Sequence, residues 1–349
     1  MAKYAFHDDY SEGAHPNIID ALTRTNFTQQ SGYGEDEFSN SARKAIRTLI
    51  GADEAGVFFT PGGTGANLLS IACYLRSHQS IIAAESAHIV GKEAAAVEAT
   101  GHKVLTAPAV DGKLTPENIQ SVFDENLLFA YQTKIKMVFV SNTTEIGTVY
   151  TKSELAAVAA VCKKLGLLLL LDGARLGSAL TSPKNDMTLK DIYDLTDIFW
   201  IGGTKNGALL GEAVVIKDPS LGADFPHHMK QRGALLAKGR VIGIQFATLF
   251  QNDLFFRLAR DANSMAAELS SCLRKMGFRL WANTESNQVF PILSQQLVDV
   301  LQNDFEFFIW DCLQDGSLVV RLVTSWATEP SQVKKFCSVV EDWVKYHGN

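Results

Sequence analysis

The stretch Leu167-Leu168-Leu169-Leu170-Leu171-Asp172-Gly173-Ala174-Arg175 decides the fold. Its five leucines run without an intervening polar residue, which is typical of a central parallel strand buried on both faces. The aspartate that follows stands at the carboxyl end of that strand, where open α/β sheets bind ligands. The sequence therefore predicts a mainly parallel sheet with a polar site at one edge.

Short apolar runs on both sides of this stretch predict six further strands, and most gaps between them can hold a helix. Two such helices are Ser153–Leu165 and Phe38–Gly51, the second with Ser39 as N-cap and Gly51 as stop. Alternating strands and helices predict an α/β fold with helices on both faces of the sheet. The seven strand predictions are Val57–Phe59, Ile81–Ala83, Val104–Thr106, Met137–Val140, Leu167–Leu171, Ile198–Ile201 and Ala213–Ile216.

The pattern changes after about residue 243, which predicts a large domain over 1–245 and a smaller α+β domain over 246–349. The second part has a long helical pattern that ends at Gly277, three strand patterns and a terminal helix. No linker or repeat separates the two parts. The predicted elements are the helix Leu254–Met276, strands near Phe278–Trp281, Val289–Leu293 and Leu318–Val323, and the helix Ser331–Tyr346.

Composition excludes several classes of protein. The 349 residues are 46% hydrophobic and 20% charged, which is too apolar for a disordered chain. The net charge of −6 is spread along the chain, so no basic surface for nucleic acid or membranes is expected. A small molecule is the expected partner.

The five cysteines are Cys73, Cys162, Cys272, Cys312 and Cys337. They are odd in number and far apart, so neither a disulfide framework nor a zinc site is expected, and we expect no bound metal. They are interpreted as buried thiols in a reducing compartment. No apolar stretch of signal-peptide or membrane-span length is present, and a cytoplasmic location is predicted.

A glycine-rich turn, Pro61-Gly62-Gly63-Thr64-Gly65-Ala66-Asn67, follows the first strand and opens a helix. Free N–H groups at a helix start suit a phosphate. A nucleotide triphosphatase is disfavoured because the turn has no lysine. A dinucleotide site stays open, since Glu85 ends the next strand, although Leu68 stands where a third glycine belongs. A glycine-rich turn without a ligand is the third alternative.

Lys205 lies in a small-residue turn, Gly202-Gly203-Thr204-Lys205-Asn206-Gly207, after another apolar strand. Alone, such a lysine is usually a solvated cation, and Asp172 alone is more often a helix N-cap than a catalytic group. Together with the phosphate turn they match what pyridoxal phosphate needs. The lysine holds the aldehyde as a Schiff base, and the carboxylate keeps the pyridine nitrogen protonated.

Six motifs, in this order, resemble the threonine aldolase and β-eliminating lyase family of fold-type I pyridoxal-phosphate enzymes. The resemblance runs from about Asp9 to Arg321 and is most specific at the aspartate and lysine motifs. Within the family the chain looks most like the low-specificity L-threonine aldolases. The motifs are Gly32-Tyr33-Gly34, Gly63-Thr64-Gly65-Ala66-Asn67, Ala84-Glu85-Ser86-Ala87-His88, Ser141-Asn142-Thr143-Thr144, Asp172-Gly173-Ala174-Arg175 and Thr204-Lys205.

The resemblance implies a role for each matching residue. Lys205 would form the Schiff base, Asp172 would partner the pyridine nitrogen, and Gly63 and Thr64 would belong to the phosphate cup. His88 would stack on the cofactor ring near the substrate hydroxyl. Without the resemblance, His88 is better interpreted as a capping or core histidine.

Three further residues would bind substrate if the resemblance holds. Arg175, which would also contact the cofactor, and Arg321 would grip the amino-acid carboxylate with their planar forks. Ser11 would help, although a turn serine is nearly as good an interpretation. Arg321 alone could equally be an exposed strand cation.

Two departures from the family pattern concern the substrate side. Thr144, followed by Glu145, replaces the histidine usual after the Asn-Thr pair, in a loop one residue longer. Asn206 follows the lysine where glycine is common. The first departure leaves open which group takes the β-hydroxyl proton and how the β-carbon configuration is read.

The resemblance implies retro-aldol cleavage of β-hydroxy-α-amino acids, with L-threonine or L-allo-threonine giving glycine and acetaldehyde. Two alternatives stay open: β-elimination or transamination on the same cofactor, and a nucleotide-binding or non-catalytic protein without it. The family also suggests a homotetramer, or at least a dimer, in which Tyr33 and basic residues within 230–240 could reach a neighbour's phosphate.

Overall fold

The computed structural model describes residues 3–127 and 130–347. Within these ranges no helix combines the length and the apolar character needed to cross a membrane. The strands are β1 (Tyr4–Ala5), β2 (Gly56–Thr60), β3 (Gln79–Ala84), β4 (Lys103–Ala107), β5 (Lys134–Ser141), β6 (Leu168–Asp172), β7 (Ile198–Gly202), β8 (Glu212–Ile216), β9 (Gln288–Val289), β10 (Ile292–Leu293), β11 (Phe305–Glu306), β12 (Phe308–Cys312) and β13 (Leu318–Val323). The helices are α1 (Pro16–Thr25), α2 (Glu37–Ile50), α3 (Gly63–Ala72), α4 (His88–Gly91), α5 (Pro116–Glu125), α6 (Lys152–Leu165), α7 (Leu176–Leu180), α8 (Leu189–Leu195), α9 (Pro219–Gly222), α10 (Phe225–Gln231), α11 (Arg240–Leu249), α12 (Leu254–Lys275), α13 (Gln295–Leu301) and α14 (Pro330–His347), with a 3₁₀ turn at Glu98–Thr100.

A seven-stranded sheet forms the centre of the fold, in the order β2-β8-β7-β6-β5-β3-β4. All seven strand predictions in this region are confirmed, and the five strands β3 to β7 pair in parallel with one another. Strand β8 is antiparallel to both β7 and β2, which the sequence analysis did not predict. The short connection 203–211 explains this direction, because a parallel crossover needs a dozen or more residues.

The ends of two predicted helices show which local signals were interpreted correctly. Helix α2 ends at Gly51, whose φ of 66° is left-handed, as predicted. Its N-cap is Asp36 and not Ser39, because the Asp36 carboxylate accepts the Ser39 backbone N–H at 2.8 Å. Helix α6 begins with a capping box between Thr151 and Glu154.

A second, antiparallel sheet lies in the C-terminal part, where β13 pairs with β9, β10 and β12. Strand β13 and helices α12 and α14 match the prediction within a few residues. The strand predicted near Phe278–Trp281 is wrong, since that segment forms only an isolated bridge between Leu280 and Pro291. The single strand predicted over Val289–Leu293 is two short strands, β9 and β10, and strands β1, β11 and β12 were missed.

The N-terminal segment joins this second part and not the large sheet. Strand β1 pairs in parallel with β11, and Phe6 is buried in the second apolar cluster. Helix α12 contributes Phe255 to the first cluster and Leu269 to the second. The division at 245/246 stays a prediction, with α12 running through both clusters.

The cysteines do not follow the expectation of five buried thiols. Cys272 and Cys337 form a disulfide between α12 and α14, with their Cα atoms 6.2 Å apart. Cys162 is buried, Cys73 is half-buried and Cys312 is exposed. Sequence separation could not indicate the pair, because the packing of α12 on α14 brings the two positions together.

Two glycines bring the turns after β6 and β7 into contact. The backbone N–H of Gly202 donates to the carbonyl oxygen of Gly173 at 2.9 Å. A Cβ on Gly173 would overlap the Trp200 carbonyl, and a Cβ on Gly202 would overlap the Ala174 carbonyl. Glycine is therefore required on both sides for the residues that follow to share one edge of the sheet.

We expect Gly173→Ala to lower the stability of the protein by about 1–3 kcal/mol or more, because its methyl group has no room. Urea denaturation followed by circular dichroism measures this change. Gly13→Ala is the control, since a Cβ there meets nothing within 4 Å. Equal stability of the two variants would contradict the close contact between the turns.

Candidate active site

One cleft at the carboxyl ends of the parallel strands collects most of the predicted site residues. Asp172 ends β6 and lies opposite Ser141, the end of β5, across the sheet. Ser11 and Arg321 do not line this cleft. The predicted residues that line it are Gly63, Thr64, His88, Asp172, Arg175 and Lys205.

Lys205 lies in the turn after β7, which a buried carboxylate holds from the neighbouring strand. Glu212, the first residue of β8, accepts the backbone N–H of Gly203 at 2.9 Å and the Thr204 hydroxyl at 2.8 Å. The Thr204 oxygen also accepts the N–H of Gly211 at 3.0 Å. The turn is thus fixed at both ends next to the lysine.

The amine of Lys205 is surrounded by charges of both signs. Burial, with Arg175 nearby, lowers the pKa of Lys205, while the carboxylates of Asp9, Asp172 and Glu212 act in the opposite direction. The ammonium also lies 5.8 Å from the centroid of the Tyr10 ring. A lowered pKa makes the neutral, nucleophilic amine easier to reach.

Asp172 is buried, and both of its carboxylate oxygens are hydrogen bonded. Oδ1 accepts the backbone N–H of Ala174 and Oδ2 accepts the side-chain amide of Asn67, each at 2.9 Å. Burial raises the pKa of Asp172, Glu93 acts in the same direction, and the two hydrogen bonds and Lys205 oppose them. The bond to Ala174 is the capping contact that an isolated aspartate would make; Asn67 adds a second partner.

Helix α3 points its N-terminus at the same cleft. Its first residues, Gly63 and Thr64, line the cleft, and no side chain caps the helix. A Cβ at Gly62 or Gly65 would enter open space. Unbonded N–H groups and the positive end of a ten-residue helix form a site suited to a phosphate.

His88 is held by two carboxylates, buried Glu93 and half-buried Glu145. Its backbone N–H donates to Oε1 of Glu145 at 3.0 Å, and its ring Nδ1 lies 2.8 Å from Oε1 of Glu93. Glu145 also accepts the Ser141 hydroxyl at 2.9 Å, and burial raises the pKa of Glu145. The His88 side chain is 42% exposed, so His88 is not a core residue. The contact between Nδ1 and Glu93 restricts the rotation of its ring.

Thr144 occupies the position of the family's usual histidine and lines the cleft, but its hydroxyl is hydrogen bonded to Thr148. Its hydroxyl lies 2.7 Å from the Thr148 hydroxyl and accepts the Thr148 backbone N–H at 3.2 Å. The next residue, Glu145, contacts His88 instead. The altered loop therefore brings a carboxylate, and not a second imidazole, to the site.

Arg175 is already engaged by a buried aspartate. Its Nε and Nη2 donate to the two oxygens of Asp9 at 2.7 and 3.0 Å, and Asn287 donates to Asp9 at 2.9 Å. Burial opposes ionisation of Asp9, but Arg175 and Lys205 outweigh it and lower the pKa of this carboxyl. The pair links the N-terminal segment to the turn after β6.

Arg321 lies on β13 with its guanidinium partly satisfied. Its Nε and Nη2 donate to Oε1 of Gln288 at 2.9 and 2.7 Å, and its Cζ lies 5.7 Å from the centroid of the Trp310 ring. Lys92 approaches the same ring to 4.1 Å. Burial, with Arg175 nearby, lowers the pKa of Arg321 to about 10, so the group stays cationic at neutral pH.

Ser11 is exposed, and its hydroxyl donates to Asp8 at 2.9 Å. Its predicted contact with a substrate carboxylate stays a prediction. Glu85, the acidic residue of the dinucleotide alternative, is also exposed and does not line the cleft.

Five polar residues that position the site were not predicted as site residues from the sequence. Glu212 and Asp9 lie beside recognised motifs, so a carboxylate at a strand end or next to an expected serine was the available signal. Asn67 and Gln288 contact Asp172 and Arg321, which are 105 and 33 residues away in the sequence, so no local pattern indicated them. Glu93 lies five residues after His88, so a carboxylate close to an expected site histidine was the available signal. The five residues are Asp9, Asn67, Glu93, Glu212 and Gln288.

Comparisons with known proteins show which family and fold this chain shares. A low specificity L-threonine aldolase from a Pseudomonas species is 34% identical over 95% of each chain. The solved structure of Leishmania major threonine aldolase is 47% identical, covers 98% of this chain and 99% of its own, and superposes with a TM-score of 0.96. Thermus thermophilus aspartate aminotransferase, 13% identical, matches the fold with a TM-score of 0.72 over 97% of this chain and 91% of its own.

The fold is that of the fold-type I pyridoxal-phosphate enzymes, as predicted. A model of the β-eliminating lyase family matches residues 8–296. The chain belongs to that family, so the resemblance noted in its motifs is confirmed.

We expect Asp9→Ala to destabilise the protein by roughly 3–5 kcal/mol, because it leaves Arg175 buried without its partner. Asp194→Ala is the control, since the Lys190–Asp194 pair is about half exposed on α8, and such a pair contributes at most about 1 kcal/mol. Urea denaturation measures both changes. Similar losses in the two variants would show that the Asp9–Arg175 contact is weak.

The pKa of Glu212 predicts a pH dependence. Burial raises the pKa of Glu212 from 4.5 to about 7. Between these values the folded state binds more protons than the unfolded state, so this group makes stability fall as the pH rises. Glu212→Gln removes the titration, and its stability relative to the wild type should increase from pH 4.5 to about 7.

Melting temperatures of both proteins across this range measure the effect, with exposed Glu54→Gln as the control. A difference between Glu212→Gln and the wild type that does not change with pH would contradict the assignment.

Proposed function

We propose that this chain is a pyridoxal-phosphate-dependent aldehyde-lyase that cleaves β-hydroxy-α-amino acids between Cα and Cβ. L-Threonine or L-allo-threonine would give glycine and acetaldehyde. The observation that carries the proposal is that Lys205, Asp172 and the uncapped start of α3 face one cleft. Membership of the β-eliminating lyase family and the similarity to threonine aldolases support it.

The residues of the cleft fit pyridoxal phosphate. The N-terminus of α3, with Gly63 and Thr64, would hold the phosphate, and the open space beside Gly62 and Gly65 leaves room for it. The carboxylate of Asp172 would pair with the protonated pyridine nitrogen. When bound through the Lys205 amine, the cofactor supplies an electron sink for the bond that breaks at Cα.

Arg321 would bind the α-carboxylate of the substrate. Its Nη1 is the nitrogen without a hydrogen bond among residues 3–127 and 130–347, and Gln288 holds the rest of the fork. Arg175 would contribute mainly through its position beside the cofactor, because Asp9 occupies two of its nitrogens. Ser11 is proposed as a further contact.

His88 would take the proton of the β-hydroxyl group, directly or through a water it orients. Its ring lines the cleft and is partly exposed, whereas the hydroxyl of Thr144 is bonded to Thr148. A positioned imidazole contributes about 10²–10⁴-fold in such steps. Removal of this proton prepares the carbonyl of the aldehyde product.

We also propose a homotetramer or dimer and a cytoplasmic location. A second cleft, lined by Tyr33, Arg43 and apolar residues that include Phe58 and Leu236, lies on the surface near the basic segment 230–240 and would suit a subunit contact. Lys230 approaches the Tyr33 ring to 4.7 Å within the chain.

Lys205→Ala tests the function. We expect it to abolish the visible absorption band of the cofactor-loaded protein and the release of acetaldehyde from threonine, because the amine that binds the aldehyde is removed. Exposed Lys103→Ala should keep both.

A coupled alcohol dehydrogenase assay measures acetaldehyde, and parallel assays measure ammonia and keto acid. An active Lys205→Ala variant would contradict the proposal. Ammonia or keto acid without aldehyde would identify the enzyme as a β-eliminating lyase or aminotransferase instead.

A further inference from the structure

A continuous chain of hydrogen bonds connects the ring of His88 to Asp172. His88 Nδ1 lies 2.8 Å from Glu93 Oε1, and that oxygen accepts one N–H of the Asn67 amide at 2.9 Å. The same amide nitrogen donates to Asp172 Oδ2 at 2.9 Å. One buried amide therefore bridges two buried carboxylates of the cleft.

The orientation of the Asn67 amide is determined by Trp200. The indole N–H can only donate, and it lies 2.9 Å from Asn67 Oδ1. The amide oxygen must therefore face Trp200, and the two N–H bonds must face Glu93 and Asp172. Since each N–H needs an acceptor, Oε1 of Glu93 acts as one in this arrangement.

The same oxygen then determines the proton position on His88. Because a carboxylate oxygen can only accept hydrogen bonds, the contact of Glu93 Oε1 with Nδ1 requires a proton on Nδ1. In a neutral imidazole this leaves Nε2 as the unprotonated nitrogen. Nε2 is then the nitrogen that can accept a proton, as a general base in the cleft must.

Glu93 is a buried residue, and its contact with His88 is not an exposed ion pair. Its side chain is 1% exposed, and Oε2 has no hydrogen-bond partner within residues 3–127 and 130–347. A carboxylate that served packing alone would be expected to have both oxygens bonded. In Glu93, Oε1 makes both hydrogen bonds, one with the amide of Asn67 and one with the ring of His88.

We propose that Glu93 is a positioning residue that holds His88 as the Nδ1–H tautomer, with Nε2 ready to take the β-hydroxyl proton. This inference rests on the proposed function of the site. In the step, the substrate O–H bond breaks, an Nε2–H bond forms, and the resulting imidazolium faces the Glu93 carboxylate. The ring and its charge are thereby controlled from one buried side chain.

The tautomer is measurable by ¹⁵N NMR on the cofactor-loaded protein labelled at histidine, in slightly alkaline buffer. His88→Gln identifies the signal among the eight histidines. We expect His88 to carry its proton on Nδ1 in the wild type. Glu93→Ala should lose this preference, whereas Glu93→Gln should keep it, because Gln retains Oε1 and places its nitrogen where Oε2 has no partner.

Steady-state kinetics on threonine should follow the tautomer. We expect kcat to fall about 10²-fold or more in Glu93→Ala, with little change in KM, since the carboxylate site is untouched. In Glu93→Gln the loss should be about tenfold, the difference between a charged and a neutral hydrogen-bond partner. Exposed Glu98→Gln is the control and should match the wild type.

A wild-type His88 protonated on Nε2 would overturn the proposal without any variant. So would a Glu93→Ala protein that keeps its kcat. If the wild type releases no aldehyde from any β-hydroxy-α-amino acid, the proposed function fails, while the NMR signal still reports whether Glu93 determines the tautomer.

Discussion

The contact between two glycine turns is the constraint on which this site depends. Gly202 donates its N–H to Gly173, and neither residue has room for a Cβ. The contact brings the ends of β6 and β7 together, one carrying a carboxylate and the other leading to an amine. Any larger residue would separate Asp172 from Lys205, so the chemistry of the cleft depends on backbone packing.

Around these turns the fold brings together a set of opposite charges. The carboxylates of Asp9, Asp172 and Glu212 raise the pKa of Lys205, and the guanidinium of Arg175 lowers it. Each carboxylate has its own N–H donors, from Arg175, Asn67 or the lysine turn. This arrangement keeps several buried charges satisfied while burial lowers the pKa of the Lys205 amine.

The sequence predicted the parts of the structure that have a local cause. Continuous apolar runs located all seven strands of the main sheet, and Gly51 located a helix end. The order of the motifs predicted that Lys205, Asp172 and His88 belong to one site, and the three residues line the same cleft. Their roles in catalysis stay predictions of the resemblance and the geometry.

What the sequence did not predict depends on contacts between distant segments. Asp9 contacts Arg175, which is 166 residues away in the sequence, and this contact was not predicted. Asn67 and Glu93 are 26 residues apart and meet only through the sheet. The Cys272–Cys337 disulfide likewise depends on how α12 packs on α14. Local sequence patterns do not predict contacts between residues that are far apart in the sequence.

The central claim, that one amine of this chain binds the cofactor aldehyde in the cleft beside Asp172, can be tested by chemical trapping. The purified protein is loaded with pyridoxal phosphate, reduced with borohydride, digested and analysed by mass spectrometry. The account predicts one stable phosphopyridoxyl adduct, on the peptide that contains Lys205. An adduct on another lysine, with Lys205 unmodified, would contradict it.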